Sequence, residues 1–342
     1  MSISNQAFLL RLRNLAKIAL CEYGLEHAKL KFITYSGNGL YQVTVPSGSS
    51  ISPGKYTLRL HQPDYMNRQF IVSEMEWLSA LYEEGIVVPR PVRNLEGDWL
   101  TMADGGYDVP QQRKCTLIGW TEGRLLNKRI RPKHFKALGR VIGRMHEQSR
   151  RWKRPKGFAR PHWDWEGLYG DGFSYGIPAV DARIAIPKAH QGAFNSVLNQ
   201  VREVFDQLGR GKDVYGLIHA DLGLTDNIVF HAGEARPFDF DDCGFGYWVF
   251  DFGVTLAQYF IDTNDISQTI QDALLSGYEE TADLNGIGIE YLDLFIAARI
   301  AQLMFFFQAS SLAHPGYLGE ARKEISHHAK YLRRILKVIE SN

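Results

Sequence analysis

The chain has 342 residues, 45% apolar and 23% charged, an ordinary balance with ample core for two domains or one two-lobed enzyme. A formal net charge of +1 provides no global field to attract nucleic acid or an anionic membrane. Three scattered cysteines, Cys21, Cys115 and Cys243, form neither a disulfide framework nor a metal pattern, which suits a reducing cytoplasm.

Met1 to Leu20 carries Arg11, Arg13 and Lys17 inside its apolar pattern and lacks a small-residue cleavage site, so it does not read as a signal peptide. Phe8, Leu12, Leu15 and Ile18 recur at helical spacing and predict an amphipathic helix over 6–21. Phe32 to Val45 reads as a hairpin turning at Ser36-Gly37-Asn38-Gly39, followed by a strand from Tyr56 to His61 and a helix from Phe70 to Tyr82. Pro89, Pro91 and the turn Glu96-Gly97-Asp98 lead to further short strands that end at Cys115 to Trp120. After Gly123 the pattern is mostly helical. The basic run from Arg150 to Lys156 reads as a solvated helix end entering a loop. Leu294 to Phe307 is the most apolar long stretch, but Arg299 and Gln302 interrupt it and the uninterrupted part is too short for a bilayer. A buried helix is expected there.

Within the helical part lies a different pattern: Gly216-Leu217-Ile218-His219-Ala220-Asp221, then Thr225-Asp226-Asn227-Ile228-Val229-Phe230, then Pro237-Phe238-Asp239-Phe240-Asp241-Asp242. Turn residues at His231 to Glu234 separate Ile228–Phe230 from Phe238–Phe240, which predicts a β-hairpin. A carboxylate before the hairpin and more at its far end would converge. Their repulsion is naturally resolved by a divalent cation. Phosphoryl transfer uses such an arrangement, with one Asp to accept the acceptor's proton and oxygen ligands to hold Mg²⁺. Taken singly, each Asp could equally be a solvated loop residue.

His219-Ala220-Asp221 with Asn227, then Asp239-Phe240-Asp241-Asp242-Cys243-Gly244-Phe245-Gly246 and Asp251, resembles the aminoglycoside phosphotransferase and choline kinase superfamily, over about Leu30 to Leu312. The resemblance implies an α+β, two-lobed protein-kinase-like fold. It places a small β-rich nucleotide-binding lobe at 1–118, a hinge at 119–124 and a helical lobe with the catalytic loop and acceptor site at 125–342. It further implies that Asp221 is the catalytic base, that Asp239 chelates Mg²⁺ with Asp241 as a further candidate, and that Asp251 is a structural residue opening the next helix. The family's metal-binding Asn lies five residues after the catalytic Asp, where this chain has Asp226; Asn227 follows. Either side chain can ligate a hard cation, and the strand that begins at Ile228 favours Asn227.

For the nucleotide, the resemblance implies that Gly37 and Asn38 lie in the loop over the phosphates and that the hinge backbone at Gly119 and Trp120, flanking Thr121-Glu122-Gly123, bonds adenine. A good hairpin turn would look the same at Gly37-Asn38. In the helix over 70–82, Ile71, Glu74, Leu78 and Leu81 share one face, so Glu74 sits on an apolar stripe and needs a partner. The candidate is Arg59, where the family usually has Lys, a cation that would also touch the α- and β-phosphates. The alternative is a surface Arg and an incidental Glu.

Arg160 to Glu166, with Tyr169, Asp171, Phe173 and Tyr175, is dense in aromatic and acidic residues. Trp163 and Asp164 could hold an ammonium group by cation–π contact and charge, bordered by Asp242 and Trp248. Packing of the helical lobe would use the same residues. His146 and His219 read as bracing residues. The expected function is an ATP- and Mg²⁺-dependent phosphotransferase acting on a hydroxyl of a small metabolite, an amine-bearing one among the candidates, in the cytoplasm, without nucleic acid or membrane partners. A bacterial protein serine/threonine kinase of the same fold and a silent nucleotide-binding module are the competing readings.

Overall fold

The computed structural model describes residues 5–63, 65–105, 112–126, 130–172 and 176–341. Phe173 and Tyr175 lie outside the described residues. The chain divides into two compact units, Met1–Glu122 with Arg154–Ala159, and Gly123–Lys153 with Arg160–Asn342. The short return of Arg154–Ala159 to the first unit has no counterpart in the linear division expected from sequence.

The first unit opens with α1 (Asn5–Cys21), followed by β1 (Lys29–Ser36), β2 (Asn38–Val45) and β3 (Gly54–Leu60). Next come α2 (Arg68–Glu83), β4 (Pro91–Val92), β5 (Thr101–Ala103) and β6 (Arg113–Gly119). The strands form one antiparallel sheet in the order β1-β2-β3-β6-β4, with β5 also on β6. Alternation along β2 and β3 sends Tyr41, Val43, Leu58 and Leu60 into a core with Leu12, Leu15, Ala16 and Ala19 of α1. The helical spacing read in the sequence is the reason α1 can cover that face. Asn67 caps α2 by accepting the Phe70 N–H at 2.8 Å, a start signal that lies three residues before the expected boundary.

The second unit contains β7 (Arg124–Leu125), α3 (Pro132–Arg151), β8 (His162–Trp163), α4 (Trp165–Tyr169), α5 (Ala179–Ala185) and α6 (Lys188–Leu208). Then follow β9 (Tyr215–Ile218), β10 (Ile228–His231), β11 (Glu234–Pro237), β12 (Gly244–Tyr247) and α7 (Trp248–Thr263). The chain closes with α8 (Gln268–Glu279), α9 (Leu292–Ala313) and α10 (Leu318–Ser341). Ile289–Ala313 is long and apolar enough to cross a membrane, but most of it is buried inside the protein. It is a packing helix.

One element differs from expectation. The strand returning from β10 is Glu234–Pro237, and Phe238–Phe240 lies beyond it. Ala232 and Gly233, at φ 50° and 85°, make a two-residue turn of the kind that matches strand twist, so the return strand begins four residues earlier. The acidic segment 238–243 is therefore the link from β11 to β12, and β12 pairs antiparallel with β9.

Candidate active site

Strand β9 is buried along its length and delivers His219, Ala220 and Asp221 at its C-terminal end. Asp251, in the first turn of α7 and wholly buried, accepts the N–H groups of His219 (3.1 Å) and Ala220 (2.7 Å). Asp251 thus secures the His219–Asp221 loop in addition to its place at the start of α7. Its carboxylate also meets His146 Nε2 of α3 at 3.0 Å, and His146 Nδ1 meets the Tyr278 hydroxyl at 3.2 Å. Burial lowers the His146 pKa although the hydrogen bond to Asp251 opposes the shift. Ala220 is left-handed at φ 66°, a conformation that costs an alanine free energy and is held by these contacts.

His219 spans the loop: Nδ1 accepts the Asp221 N–H at 3.3 Å and Nε2 donates to the Phe238 carbonyl at 3.1 Å. One acceptor and one donor nitrogen describe a neutral imidazole, in keeping with a pKa lowered by burial. The bracing role expected of His219 matches this geometry.

Both oxygens of Asp221 are oriented. Asn227 Nδ2 donates to Oδ2 at 2.6 Å and to the Asp221 carbonyl at 2.9 Å. Arg299 Nη2 lies 2.5 Å from Oδ1, and its Nη1 donates to Gln302 Oε1 at 2.9 Å. Asp221 keeps 31% side-chain exposure, whereas Arg299 keeps 14%. Asn227 is buried and points at Asp221; Asp226 is exposed at the turn. With its nitrogen on Asp221, Asn227 has its carbonyl oxygen as the atom suited to a cation.

The segment carrying Asp239, Asp241 and Asp242 is pinned by its backbone. Arg160 donates Nε to the Cys243 carbonyl and Nη2 to the Asp241 carbonyl, each at 2.5 Å. Trp163 Nε1 donates to the Asp242 carbonyl at 2.7 Å. Asp239 is left-handed at φ 62°, the second such non-glycine residue at this site. Burial, reinforced by the charges of Asp241 and Asp221, pushes the Asp242 pKa up to about 8, against the opposing pull of Arg299 and Arg160. Among the described residues no three His, Cys, Asp or Glu side chains form a ready-made metal cage. A carboxamide oxygen and repelling carboxylates nevertheless suit a hard cation such as Mg²⁺, which retains waters and phosphate oxygens in its shell.

The described side chains of the aromatic–acidic stretch make structural contacts. Trp163 is buried and braces the acidic segment. Asp164 caps α4 through the Gly167 N–H (3.0 Å) and pairs with Arg210 at 2.6 Å. The Tyr169 hydroxyl donates to the Ala298 carbonyl at 2.8 Å, and Asp171 Oδ1 accepts the Ala179 N–H at 2.7 Å. Trp248 is 1% exposed, with its ring centroid 4.7 Å from that of His146. Gly216 makes room for that indole: a Cβ there would fall 1.9 Å from the ring. Trp163, Tyr169 and Trp248 are buried in the core, where each ring contributes a large apolar area. Asp242 alone of the four acceptor candidates adjoins Asp221 and Arg299 electrostatically.

In the first unit, Arg59 Nη1 of β3 meets Glu74 Oε1 of α2 at 2.8 Å, with side-chain exposures of 3% and 1%. Gly37, at φ 87°, is the tip of the β1–β2 turn, and Asn38 Oδ1 accepts the Gln62 N–H at 2.9 Å. The N–H groups of Gly119 and Trp120 donate to the carbonyls of Arg90 (2.7 Å) and Lys55 (3.1 Å). An adenine contact from these two residues must therefore use their carbonyl oxygens.

Sequence reasoning passed over Arg299 and Gln302 as site residues. Their signal was present as two polar side chains in the most apolar long stretch, where a buried charge requires a partner. Arg160 was likewise grouped with the acceptor lining, and its bonds to the acidic segment depend on a fold-level approach that spacing does not reveal.

A buried sheet–helix ion pair in one unit, and in the other a base-bearing loop beside a pinned acidic segment, define a kinase-like phosphotransferase. Residues 38–286 match the phosphotransferase enzyme family, and the chain belongs to that family. Amicoumacin kinase of Bacillus subtilis (strain 168) is 25% identical over 327 residues, 90% of this chain and 87% of that protein. A solved microcompartment-associated aminopropanol kinase superimposes with a TM-score of 0.78 at 26% identity, covering 95% of this chain and 98% of that one. An amicoumacin kinase solved with AMP-PNP, Ca²⁺ and Ami gives a TM-score of 0.72 at 22% identity, covering 94% and 96%.

Proposed function

We propose that this chain transfers the γ-phosphate of ATP to a hydroxyl of a small, amine-bearing metabolite. The observation that carries the reading is Asp221, whose two oxygens are oriented by Asn227 and Arg299 beside the segment of Asp239, Asp241 and Asp242. A carboxylate held in this way can accept the proton of an acceptor hydroxyl as its oxygen attacks phosphorus. A divalent cation held by Asn227, Asp239 and Asp241 would neutralise charge on the phosphates. In the first unit, Arg59 anchored by Glu74 would face the α- and β-phosphates, with Gly37 and Asn38 over them and the carbonyls at Gly119 and Trp120 toward adenine.

The names of the similar proteins, amicoumacin kinase and aminopropanol kinase, support a small acceptor that carries an amine. So does α9 itself. Beyond Arg299 it presents Phe306 and Phe307, half-buried with ring centroids 5.4 Å apart, and Tyr317 lies 6.5 Å from Phe307. Burial raises the Tyr317 pKa, and the nearby charges of Glu320 and Glu324 add to it. Rings and carboxylates in one place suit an ammonium group.

The test is ³¹P NMR of product formed from Mg²⁺-ATP with a panel of amino alcohols, amine-free alcohols, sugars and protein hydroxyls. A phosphate ester on an amino alcohol, with at least about tenfold lower kcat/KM for its amine-free analogue, is expected. Ester formation confined to amine-free alcohols or to protein hydroxyls would overturn the reading.

A further inference from the structure

Between His219 and Ala298 the chain contains a single Lys or Arg, Arg236. That side chain pairs with Glu234 on β11, at 3.2 Å. The same span supplies Asp221, Asp226, Asp239, Asp241 and Asp242. Arg160 binds backbone carbonyls. Phosphoryl transfer places negative charge on three equatorial oxygens beside the base, and a divalent cation alone does not surround them.

Arg299 comes from a different element, α9, 78 residues beyond Asp221 in sequence, and reaches Asp221 directly at 2.5 Å. Gln302, one turn on, fixes the other arm of its guanidinium at 2.9 Å. Arg299 meets a carboxylate that is 31% exposed, so the pair opens to solvent and a ligand can reach it. A guanidinium bonded to Asp221 would neighbour an acceptor hydroxyl bonded to the same carboxylate, and its fork matches phosphate oxygens.

We infer that Arg299 is the in-chain cation for the transferred phosphoryl group, a role that rests on the phosphotransferase reading above. Before transfer it holds Asp221 Oδ1. As an acceptor hydroxyl takes that oxygen, the guanidinium turns its N–H groups to the equatorial oxygens. The acceptor oxygen–phosphorus bond forms, the bond from phosphorus to the β–γ bridging oxygen breaks, and ADP leaves with that electron pair. The acceptor's proton passes to Asp221, and Arg299 stays protonated throughout.

The experiment compares wild type, Arg299→Met, Arg299→Lys and Gln302→Ala for binding of Mg²⁺-ADP alone and of Mg²⁺-ADP with aluminium fluoride, a mimic of the transferred group. Turnover of 1-amino-2-propanol is followed in parallel. Wild type should bind the aluminium fluoride complex more tightly than Mg²⁺-ADP. Arg299→Met should lose at least about tenfold of that gain and ~10²–10³-fold in kcat, with Mg²⁺-ADP affinity within about twofold of wild type. Arg299→Lys should recover part of both, and Gln302→Ala should fall between. Unchanged Mg²⁺-ADP affinity reports that the variants are folded. A preserved aluminium fluoride gain in Arg299→Met, or a loss confined to acceptor KM, would overturn the role of Arg299. Absence of any gain in wild type would overturn the phosphotransferase reading and this inference with it.

Discussion

At the scale of single residues the site is a set of side chains that fix one another. Asp221 is oriented by Asn227 and Arg299, and its loop by Asp251 and His219. Of Asn227 and Asp226, Asn227 is buried and bonds Asp221, while Asp226 is exposed, which favours Asn227 for the proposed metal site. Asn227→Ala should therefore lower kcat by ~10²-fold or more, and Asp226→Ala by no more than about threefold; equal losses in steady-state assays would refute the assignment. Arg59 and Glu74 offer a second test, since deleting one member of a buried pair strands the other at ~3–5 kcal/mol. Arg59→Ala and Glu74→Ala should each lower the unfolding free energy by that order, and the double variant by less than their sum. Strict additivity in denaturant titrations would dissolve the pairing. This pair was legible in the sequence because a carboxylate on an apolar helical stripe has few acceptable explanations. Trp163 and Trp248 were not, since cation recognition and core packing require the same rings, and only the partners distinguish them.

At the scale of elements, the strands and helices that carry the site were legible where periodicity was strong and displaced where turn chemistry ruled. The helix expected over 6–21 is Asn5–Cys21, and that expected over 70–82 is Arg68–Glu83. The second strand of the hairpin lies four residues earlier than expected, because Ala232 accepts a left-handed conformation that its side chain does not advertise. His146 shows how elements are joined: it links α3 to Asp251 in α7 and Tyr278 in α8. Asp251, Glu147, Arg150 and Tyr278 face its ring, and burial nonetheless keeps it neutral with a pKa below 6.5. The unfolded chain takes up a proton near pH 6.5 that the folded chain refuses, so the contribution of His146 is complete above that pH and declines as the pH falls toward the folded value. Unfolding free energy should thus fall from pH 7 to 5, and His146→Gln should remove up to about 1.4 kcal/mol per pH unit from that slope. An unchanged slope in urea titrations would show that folding leaves the His146 pKa where it stands in the unfolded chain.

At the scale of the whole molecule, the motif from His219 to Asp251 sufficed to point to the family, and the match over residues 38–286 agrees. The acceptor side was the least legible, because the residues proposed for it come from α9, whose apolar composition reads first as packing. Arg299 and Gln302 are conspicuous only once β9 is seen to end beside them. The account as a whole stands on Asp221 acting upon the acceptor and not upon the nucleotide. The most direct measurement sets Asp221→Asn against wild type, following phosphate ester by ³¹P NMR with 1-amino-2-propanol and Mg²⁺-ATP affinity by calorimetry. The account predicts a loss of ~10²–10⁴-fold in transfer with ATP affinity within about threefold of wild type. Transfer at the wild-type rate, or a loss of ATP binding large enough to explain the lost turnover, would contradict it.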